Sequence, residues 1–314
     1  MKKSVYIIGL FSILAIASCK KDKPAPEEPV TPAGPSLIFQ YDFDTTQVRL
    51  DAFGQPVAVP SNHGAQHPKM NSMTAHYIEL AQGAYTPVGT GTVVYHAEET
   101  TLGGDNAIVF SKTKIVGKGE TFFSIPLKNV TPGEYEYLRV SVGYQNFDIK
   151  YYVDTTYVVQ GIPDVVIAQE FPGTLASFIG FNSYITNYKI KTETVQVNGN
   201  KKQGYWGFET KANYMGYPIN YQSTGQSPAG ATTVVNPIAG SSPIPAGSCL
   251  ITGKFPTNKL KITGNETQDI VIRVSMSTNK SFEWVDTNGN GKWDASKGEA
   301  VVDMGLRGMI PYIQ

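Results

Sequence analysis

The clearest strand pattern in this chain is Tyr135-Glu136-Tyr137-Leu138-Arg139-Val140-Ser141-Val142-Gly143-Tyr144. Its side chains alternate between two faces, and a period of two over this length predicts a β-strand with one buried face. A turn signal precedes it, because Pro132 is followed by Gly133. Residues 147–153 are predicted to return as the partner strand.

Similar strand-like patterns continue on both sides of this stretch. From residue 37 onward, short apolar or alternating runs are separated by Gly, Pro, Asn and Asp, and Asn198-Gly199 is a strong hairpin signal. No segment shows a convincing amphipathic helix, and the best candidate, residues 74–81, fits a strand equally well. The chain is therefore predicted to be all-β, of the β-sandwich or jelly-roll type.

The best candidate for a domain boundary is the Gly- and Pro-rich stretch at residues 223–247. It either separates two β units or forms a long surface loop in one. We favour a β-sandwich domain over residues 37–235 joined to a C-terminal β portion over residues 236–314. The chain is formally neutral and has no Lys/Arg cluster beyond its N-terminal region, which argues against nucleic acid as a partner.

The N-terminal residues indicate export. A positively charged start is followed by an apolar run, residues 5–17, which fits a signal peptide and is too short to span a membrane. Ala17, Ser18 and Cys19 close this run. Proline then recurs every two or three residues, which predicts an extended tether within residues 19–36.

This arrangement resembles the lipobox of bacterial lipoproteins, and the charges at residues 20–23 resemble the surface-export signals of Bacteroidota lipoproteins. The resemblance implies that residues 1–18 are removed, that Cys19 is acylated, and that the chain is anchored in the outer membrane lipid bilayer, facing the periplasm or the cell surface. An ordinary secretory signal with an incidental Cys19 is the alternative. The globular part resembles the β-rich surface lipoproteins of that phylum, without a defined family.

The sharpest local motif runs from Asp286 to Asp294, with the sequence DTNGNGKWD. Side-chain oxygens at its first, third, fifth and ninth positions are ligands that calcium prefers. It resembles an EF-hand-type loop, although Lys297 stands where a bidentate glutamate belongs and the preceding residues predict a strand. A plain Asn-Gly hairpin is the alternative. The resemblance implies a weak structural Ca²⁺ site with ligands from Asp286, Asn288, Asn290, the Lys292 carbonyl, Asp294, and Glu299 or Asp303.

Aromatic residues crowd the region from residue 184 to residue 221. Exposed Tyr and Trp rings stack on sugars while their polar tips form hydrogen bonds. Ordinary strand composition is the alternative, since aromatic residues favour sheets. The ligand-binding residues predicted from this cluster are Tyr205, Trp206, Tyr214 and Tyr217.

All four histidines fall between residues 63 and 96. Imidazole suits zinc or copper, but Gly64 and Pro68 place the first pair in a loop, and this favours unrelated histidines over a metal site. Cys249, the cysteine that remains after lipidation, is predicted to be a small buried residue. The metal hypothesis would draw on His63, His67, His76, His96, Glu79, Glu98 and Glu99.

The sequence carries no recognisable catalytic motif. The prediction is a membrane-anchored, extracytoplasmic binding module, with carbohydrate as the leading ligand. Two alternatives stay open: a β-sandwich hydrolase with paired carboxylates, and a structural or accessory subunit of a surface complex. The hydrolase would draw its carboxylates from Asp148, Asp154, Asp164, Glu170 and Glu209.

Overall fold

The computed structural model describes residues 34–158, 160–161, 164–245 and 247–314. The predicted signal peptide, Cys19 and most of the tether therefore lie outside the described residues. In the described part, the all-β prediction is confirmed: strands dominate, α-helices are absent, and the helical content is three short 3-10 turns. This part also has no helix with the length and apolar character of a membrane span.

Most strands are short, but β3, β9 and β10 are long, with 13, 21 and 14 residues. In chain order the strands are β1 (Ser36–Asp44), β2 (His63–Gln66), β3 (Lys69–Ala81), β4 (Thr92–His96), β5 (Glu99–Thr100), β6 (Ala107–Val109), β7 (Thr121–Pro126), β8 (Gly133–Tyr135), β9 (Tyr137–Tyr157), β10 (Val165–Phe178), β11 (Ser183–Lys189), β12 (Thr194–Lys201), β13 (Tyr205–Tyr214), β14 (Tyr217–Gln226), β15 (Leu250–Lys254), β16 (Leu260–Ile262), β17 (Ile270–Ser277), β18 (Phe282–Val285), β19 (Val301–Asp303) and β20 (Met309–Ile313). The 3-10 turns are Phe110–Lys112, Leu127–Asn129 and Ala295–Lys297.

The largest sheet is organised around β9. Its order is β14-β13-β10-β9-β3-β4, and β15 pairs with the first residues of β9. A second sheet has the order β20-β17-β1-β7. In it, β1 and β17 pair in parallel, so residues 37–235 and residues 236–314 both contribute strands to this sheet.

The three larger hydrophobic clusters of the described residues hold these layers together. The main cluster combines β1, β7 and β17 with β3, the start of β9 and β15. A second cluster packs β11 against β10 and β13. A third cluster joins β9, β10 and β13 to β18 and Met304. The outer half of the large sheet is therefore covered by different segments on its two faces, and the candidate site lies on the face with β18.

Two details of the predicted strands are wrong. The alternation at residues 135–144 predicts one buried face and a partner strand that returns after a turn, but β9 runs without a break through residues 145–146. Both faces of this stretch are buried. On the more polar face, Arg139 is buried together with Glu79 in a fully buried ion pair. Asn198-Gly199 lies within β12 rather than at a hairpin turn. Its positive-φ residue, Asn198, sits where β12 bulges against β11.

Candidate functional site

The β13–β14 hairpin sorts the predicted aromatic residues onto two faces. Successive side chains of a strand point to opposite sides, so Trp206 and Tyr205 face different layers. Tyr205 is buried in the second cluster near Tyr188 and Phe178. Trp206 faces the third cluster and remains partly accessible. The structure therefore separates two neighbouring residues that the sequence placed in one site.

Trp206 lines a cavity of about 660 Å³ between the large sheet and the C-terminal segment that follows β18. Most of the lining is aromatic or aliphatic, and six aromatic side chains contribute to it. A concave, mainly apolar space with a few polar groups is typical of small-molecule sites. The aromatic lining residues are Tyr151, Tyr152, Trp206, Phe208, Tyr221 and Trp293.

Two glycines of the large sheet lie against aromatic rings that line this cavity. Gly225 lies across from Trp206 in the β13–β14 register, and a Cβ added to Gly225 would overlap the indole ring. Gly173 has the same relation to the ring of Phe208. The missing side chains let both rings lie close against the backbone of the neighbouring strand.

The opposite wall comes from residues 293–304. The Trp293 ring stands edge-on to Phe208 and Phe282, with centroids 6.3 and 5.0 Å away. Its indole N–H donates to the Glu299 carbonyl at 3.1 Å. This bond ties the aromatic wall to the end of the predicted calcium loop.

Few polar groups face the cavity. Thr210 accepts a hydrogen bond from the Tyr151 hydroxyl at 3.1 Å and donates to the Pro172 carbonyl at 2.8 Å. Ser223, Gln226, Ser227 and Ser296 add neutral polar groups to the lining. Among the described lining residues, Glu299 is the only carboxylate. Apart from Glu299, whose carboxylate accepts from the Thr287 and Asp294 amides, this lining offers ring stacking and neutral hydrogen bonding.

The other predicted aromatic residues lie further along the hairpin. Tyr214 packs against Phe171, and its hydroxyl donates to the Val166 carbonyl at 2.9 Å. Tyr217 is 75% exposed at the hairpin end. Both share the Trp206 face by strand parity, but the cavity lining does not include them.

The predicted calcium loop is closed by its own hydrogen bonds. The Asp286 carboxylate accepts from the backbone amides of Asn290 and Gly291 at 3.2 and 2.8 Å. The Asn288 side-chain oxygen accepts from the Asn290 amide at 3.0 Å, and the Asn290 oxygen accepts from the Lys292 amide at 2.7 Å. The alternating oxygens of the motif therefore turn toward the inside of one loop.

The last acid of the loop, Asp294, and the next acid along the chain, Glu299, are buried. Asp294 is fully buried; its Oδ1 accepts from the Ser296 amide and hydroxyl, whereas its Oδ2 has no hydrogen-bond partner among the described residues. Glu299 accepts from the Thr287 and Asp294 amides at 3.2 and 2.7 Å, which joins the two ends of the loop. Asp303, the alternative to Glu299, is paired instead with Arg307 at 2.7 Å.

The carboxylates proposed for hydrolysis do not line the cavity. Asp148 accepts from the Thr174 hydroxyl at 2.6 Å, and Glu209 holds the turn between β11 and β12. The described lining thus offers no carboxylate pair of the kind that glycoside hydrolysis requires.

The histidines separate into two groups. His63 pairs with the buried Glu283, and His67 accepts from the Lys280 amide at 3.1 Å. His76 and His96 lie together with Glu99, away from the aromatic cavity. Of the remaining acidic candidates, Glu98 pairs with Lys112 and Glu79 with Arg139.

Sequence reasoning missed Tyr151 and Tyr152 as lining residues, and it treated Trp293 only as part of the calcium loop. They are distant in sequence from Trp206, and only the pairing of β9 with β10 and of β10 with β13 brings them near it. The Tyr151-Tyr152 pair within an alternating strand was the one available signal. Comparison with protein families, curated proteins and solved structures finds no match to this chain.

Proposed function

We propose that this chain is a lipid-anchored, extracytoplasmic binding module whose aromatic cavity takes a carbohydrate. The observation that carries the proposal is the cavity of about 660 Å³ with six aromatic side chains in its lining. Rings of this kind combine a large apolar contact area with polar tips, which suits the apolar face and hydroxyl rim of a sugar.

The arrangement of Trp206 supports this ligand class. Its indole lies against the strand backbone at Gly225, which leaves the other face of the ring available to the cavity. The neutral polar side chains of Ser223, Gln226 and Ser227 stand along the same lining. A stacking surface bordered by neutral hydrogen-bonding groups fits an uncharged sugar better than an ionic ligand.

Glycan arrays and calorimetry on the purified full chain test the ligand class. We expect binding to one group of glycans, and a loss of at least tenfold in affinity for Trp206→Ala, because truncation of a central aromatic anchor costs about 2 kcal/mol or more. Tyr217→Ala is the matched control, since Tyr217 lies on the same hairpin face outside the lining, and its affinity should stay within twofold. If the chain binds a glycan and Trp206→Ala leaves the affinity unchanged, the binding site lies outside the aromatic cavity. Failure to bind any glycan would reject the carbohydrate class.

The lipid anchor is proposed from the lipobox-like residues that end at Cys19. Mass spectrometry of the chain from a native host should find a new N-terminus at Cys19 that carries acyl chains. Cys19→Ser should release the protein from the membrane fraction, because two or more acyl chains are what make anchoring stable. An intact leader, or an unmodified thiol in the native host, would contradict the proposal.

We also propose that the loop from Asp286 to Asp294 binds a structural calcium ion. The donor set fits, because carboxylate, amide and carbonyl oxygens are hard ligands. Asp294 supports it independently, since its buried Oδ2 lacks a hydrogen-bond partner among the described residues and a buried unpaired carboxylate oxygen is costly without a counter-charge. Glu299, rather than Asp303, is the buried acid connected to this loop.

Thermal unfolding with and without calcium tests this site. With dissociation constants of about 10⁻⁴–10⁻³ M, 10 mM Ca²⁺ should stabilise the folded state by about 1–3 kcal/mol and raise Tm by several degrees. Asp294→Asn should remove this shift. Asp154→Asn, an exposed acid on β9, should keep it. An equal calcium effect in both variants would reject the loop as the site.

A second function, assembly into a surface complex, is favoured by one observation. β14 is an edge strand of the large sheet, and its sequence YPINYQSTGQ has no charged residue. Uncharged edges are open to pairing with a strand of another chain. Thr224→Lys should then weaken recovery of a specific partner from cross-linked cells while leaving glycan affinity unchanged. Identical cross-linking of the variant and the parent chain would exclude the β14 edge.

A further inference from the structure

Three metal-ligating side chains converge at the edge of the large sheet formed by β3 and β4. His76 lies in β3, His96 ends β4, and Glu99 begins β5. The Oε1 atom of Glu99 is 2.8 Å from Nε2 of His76 and 3.5 Å from Nε2 of His96. One ligand atom from each residue lies within 4.8 Å of the other two.

The backbone makes this convergence. His96 pairs with Tyr77 across β3 and β4, one residue from His76. The Ala97 amide then donates to the His76 carbonyl at 2.7 Å, which holds the chain beside β3 as it leads to Glu99. The two imidazole rings stand edge to face with centroids 5.1 Å apart. The ring of Phe181 also stacks on the His76 ring, with centroids 5.2 Å apart.

Each of the three ligands also has an outer partner. Nδ1 of His96 is 2.9 Å from the Ala97 carbonyl, so this nitrogen donates and Nε2 keeps its lone pair. Nδ1 of His76 lies 3.4 Å from the Ser141 hydroxyl. The Asn106 side-chain amide donates to the second oxygen of Glu99. Such outer hydrogen bonds orient the ligands of metal sites and fix the imidazole tautomer.

A cavity of about 210 Å³ adjoins these residues. Tyr77, Phe181 and Ser248 contribute to its lining together with the three ligands. His76 is 7% exposed, whereas the His96 side chain is 50% exposed. An ion could therefore enter from the His96 side, and the cavity leaves room for a water molecule or a small ligand in its coordination shell.

We propose that His76, His96 and Glu99 bind a zinc-type divalent transition-metal ion through two Nε2 atoms and one carboxylate oxygen. Two imidazoles and a carboxylate are zinc ligands, and three protein ligands with an open position are typical of reactive rather than purely structural zinc sites. Tetrahedral zinc places its ligand atoms about 3.4 Å apart. The separation between His96 and Glu99 already has this size, and the contact between His76 and Glu99 lengthens by about 0.6 Å when the ion enters.

Metal binding requires a change of tautomer at His76. Without an ion, Nε2 of His76 donates to the Glu99 carboxylate. When Nε2 binds the ion, the imidazole proton moves to Nδ1, which lies beside the Ser141 hydroxyl as an acceptor.

Competition between the purified full chain and a chromophoric chelator for Zn²⁺ tests the proposal. Millimolar Ca²⁺ is kept present so that the oxygen-rich loop at residues 286–294 does not take up zinc. We expect one zinc ion per chain, with at least a tenfold loss of affinity in His96→Ala and in Glu99→Gln. His67→Ala is the matched control, because His67 is exposed and lies outside the cluster, and its affinity should stay within twofold.

Two further readouts separate ligand loss from misfolding. Co²⁺ should give a visible absorption band typical of four or five ligands in the parent chain, and His96→Ala should change its position or intensity. The metal-free melting temperatures should differ little, since His96 is half exposed. Lack of zinc binding by the parent chain, or equal affinity in the two ligand variants and the His67 control, would overturn the site.

Discussion

Replacing Glu209 by glutamine removes a buried carboxylate that holds the turn between β11 and β12. Glu209 lies in β13 with 1% of its surface exposed. Its oxygens accept hydrogen bonds from the backbone amides of residues 191–193 and from the Thr192 hydroxyl. Glutamine has nearly the same shape, but its NH₂ group cannot accept, so some of the amides of this turn lose their acceptor.

The size of the loss follows from the pKa of Glu209. Burial alone would raise this pKa, but the Thr192 hydroxyl and the three backbone amides together outweigh it and lower the pKa from 4.5 to about 2. A tenfold change in proton affinity corresponds to about 1.4 kcal/mol. The ionised carboxylate therefore stabilises the folded state by at most about 3 kcal/mol. Because the folded pKa is the lower one, this stabilisation is present above pH 4.5 and is lost as the pH falls toward 2.

Urea unfolding of the parent chain and Glu209→Gln across pH 3–7 measures this effect. At pH 7 the variant should be less stable by about 2–3 kcal/mol, and near pH 3 roughly half of that difference should remain. Glu170→Gln, an exposed change on the neighbouring β10, should stay within about 0.5 kcal/mol at every pH. A difference for Glu209→Gln that is independent of pH, or below about 0.5 kcal/mol at pH 7, would refute the reasoning.

Two further substitutions and one alkylation experiment probe packing, charge and thiol chemistry. Gly225→Ala should cost about 1–3 kcal/mol by overpacking, and most of this cost should vanish in a Trp206→Ala background, as a double-mutant cycle in urea would measure. Arg139→Met leaves Glu79 buried without its counter-charge and should lower the free energy of unfolding by about 3–5 kcal/mol; a loss under about 1 kcal/mol would contradict this. Burial raises the pKa of Cys249 from 9.0 to about 11. With the other cysteine lipidated or replaced, alkylation at pH 8 should therefore be about 100-fold slower in the folded than in the unfolded chain.

The fold class was predictable because it depends on local pattern. Alternating runs and frequent Gly and Pro exclude long helices wherever they occur, and the strands at residues 92–95 and 121–125 fall close to β4 and β7. Strand length was less predictable. β9 passes through Gln145 and Asn146 because partner strands and buried polar contacts satisfy both residues. Such compensation comes from residues far away in sequence.

Of the residues that line the candidate site, the sequence predicted Trp206 as a ligand-binding residue but not the other aromatic residues around it. Trp206 stood out because it lies between glycines in an aromatic region. The period of two could separate Tyr205 from Trp206, but it could not say which of the two faces was fully covered. That depends on β11 packing over one face and on residues 293–304 only partly covering the other. The order of strands in the sheet, which no local pattern contains, decides it.

The same C-terminal segment builds both the calcium-type loop and one wall of the aromatic cavity. Glu299 bonds through its carboxylate to the amides of Thr287 and Asp294, and through its carbonyl to the indole of Trp293. An ion that orders the loop therefore also fixes the position of the Trp293 wall, and a ligand that packs on this wall restrains the loop. Coupling between two binding equilibria is reciprocal. If calcium changes the affinity for the ligand by some factor, the ligand changes the affinity for calcium by the same factor. This shared segment gives a physical reason for the proposed ion site to lie beside the aromatic cavity of the proposed binding module.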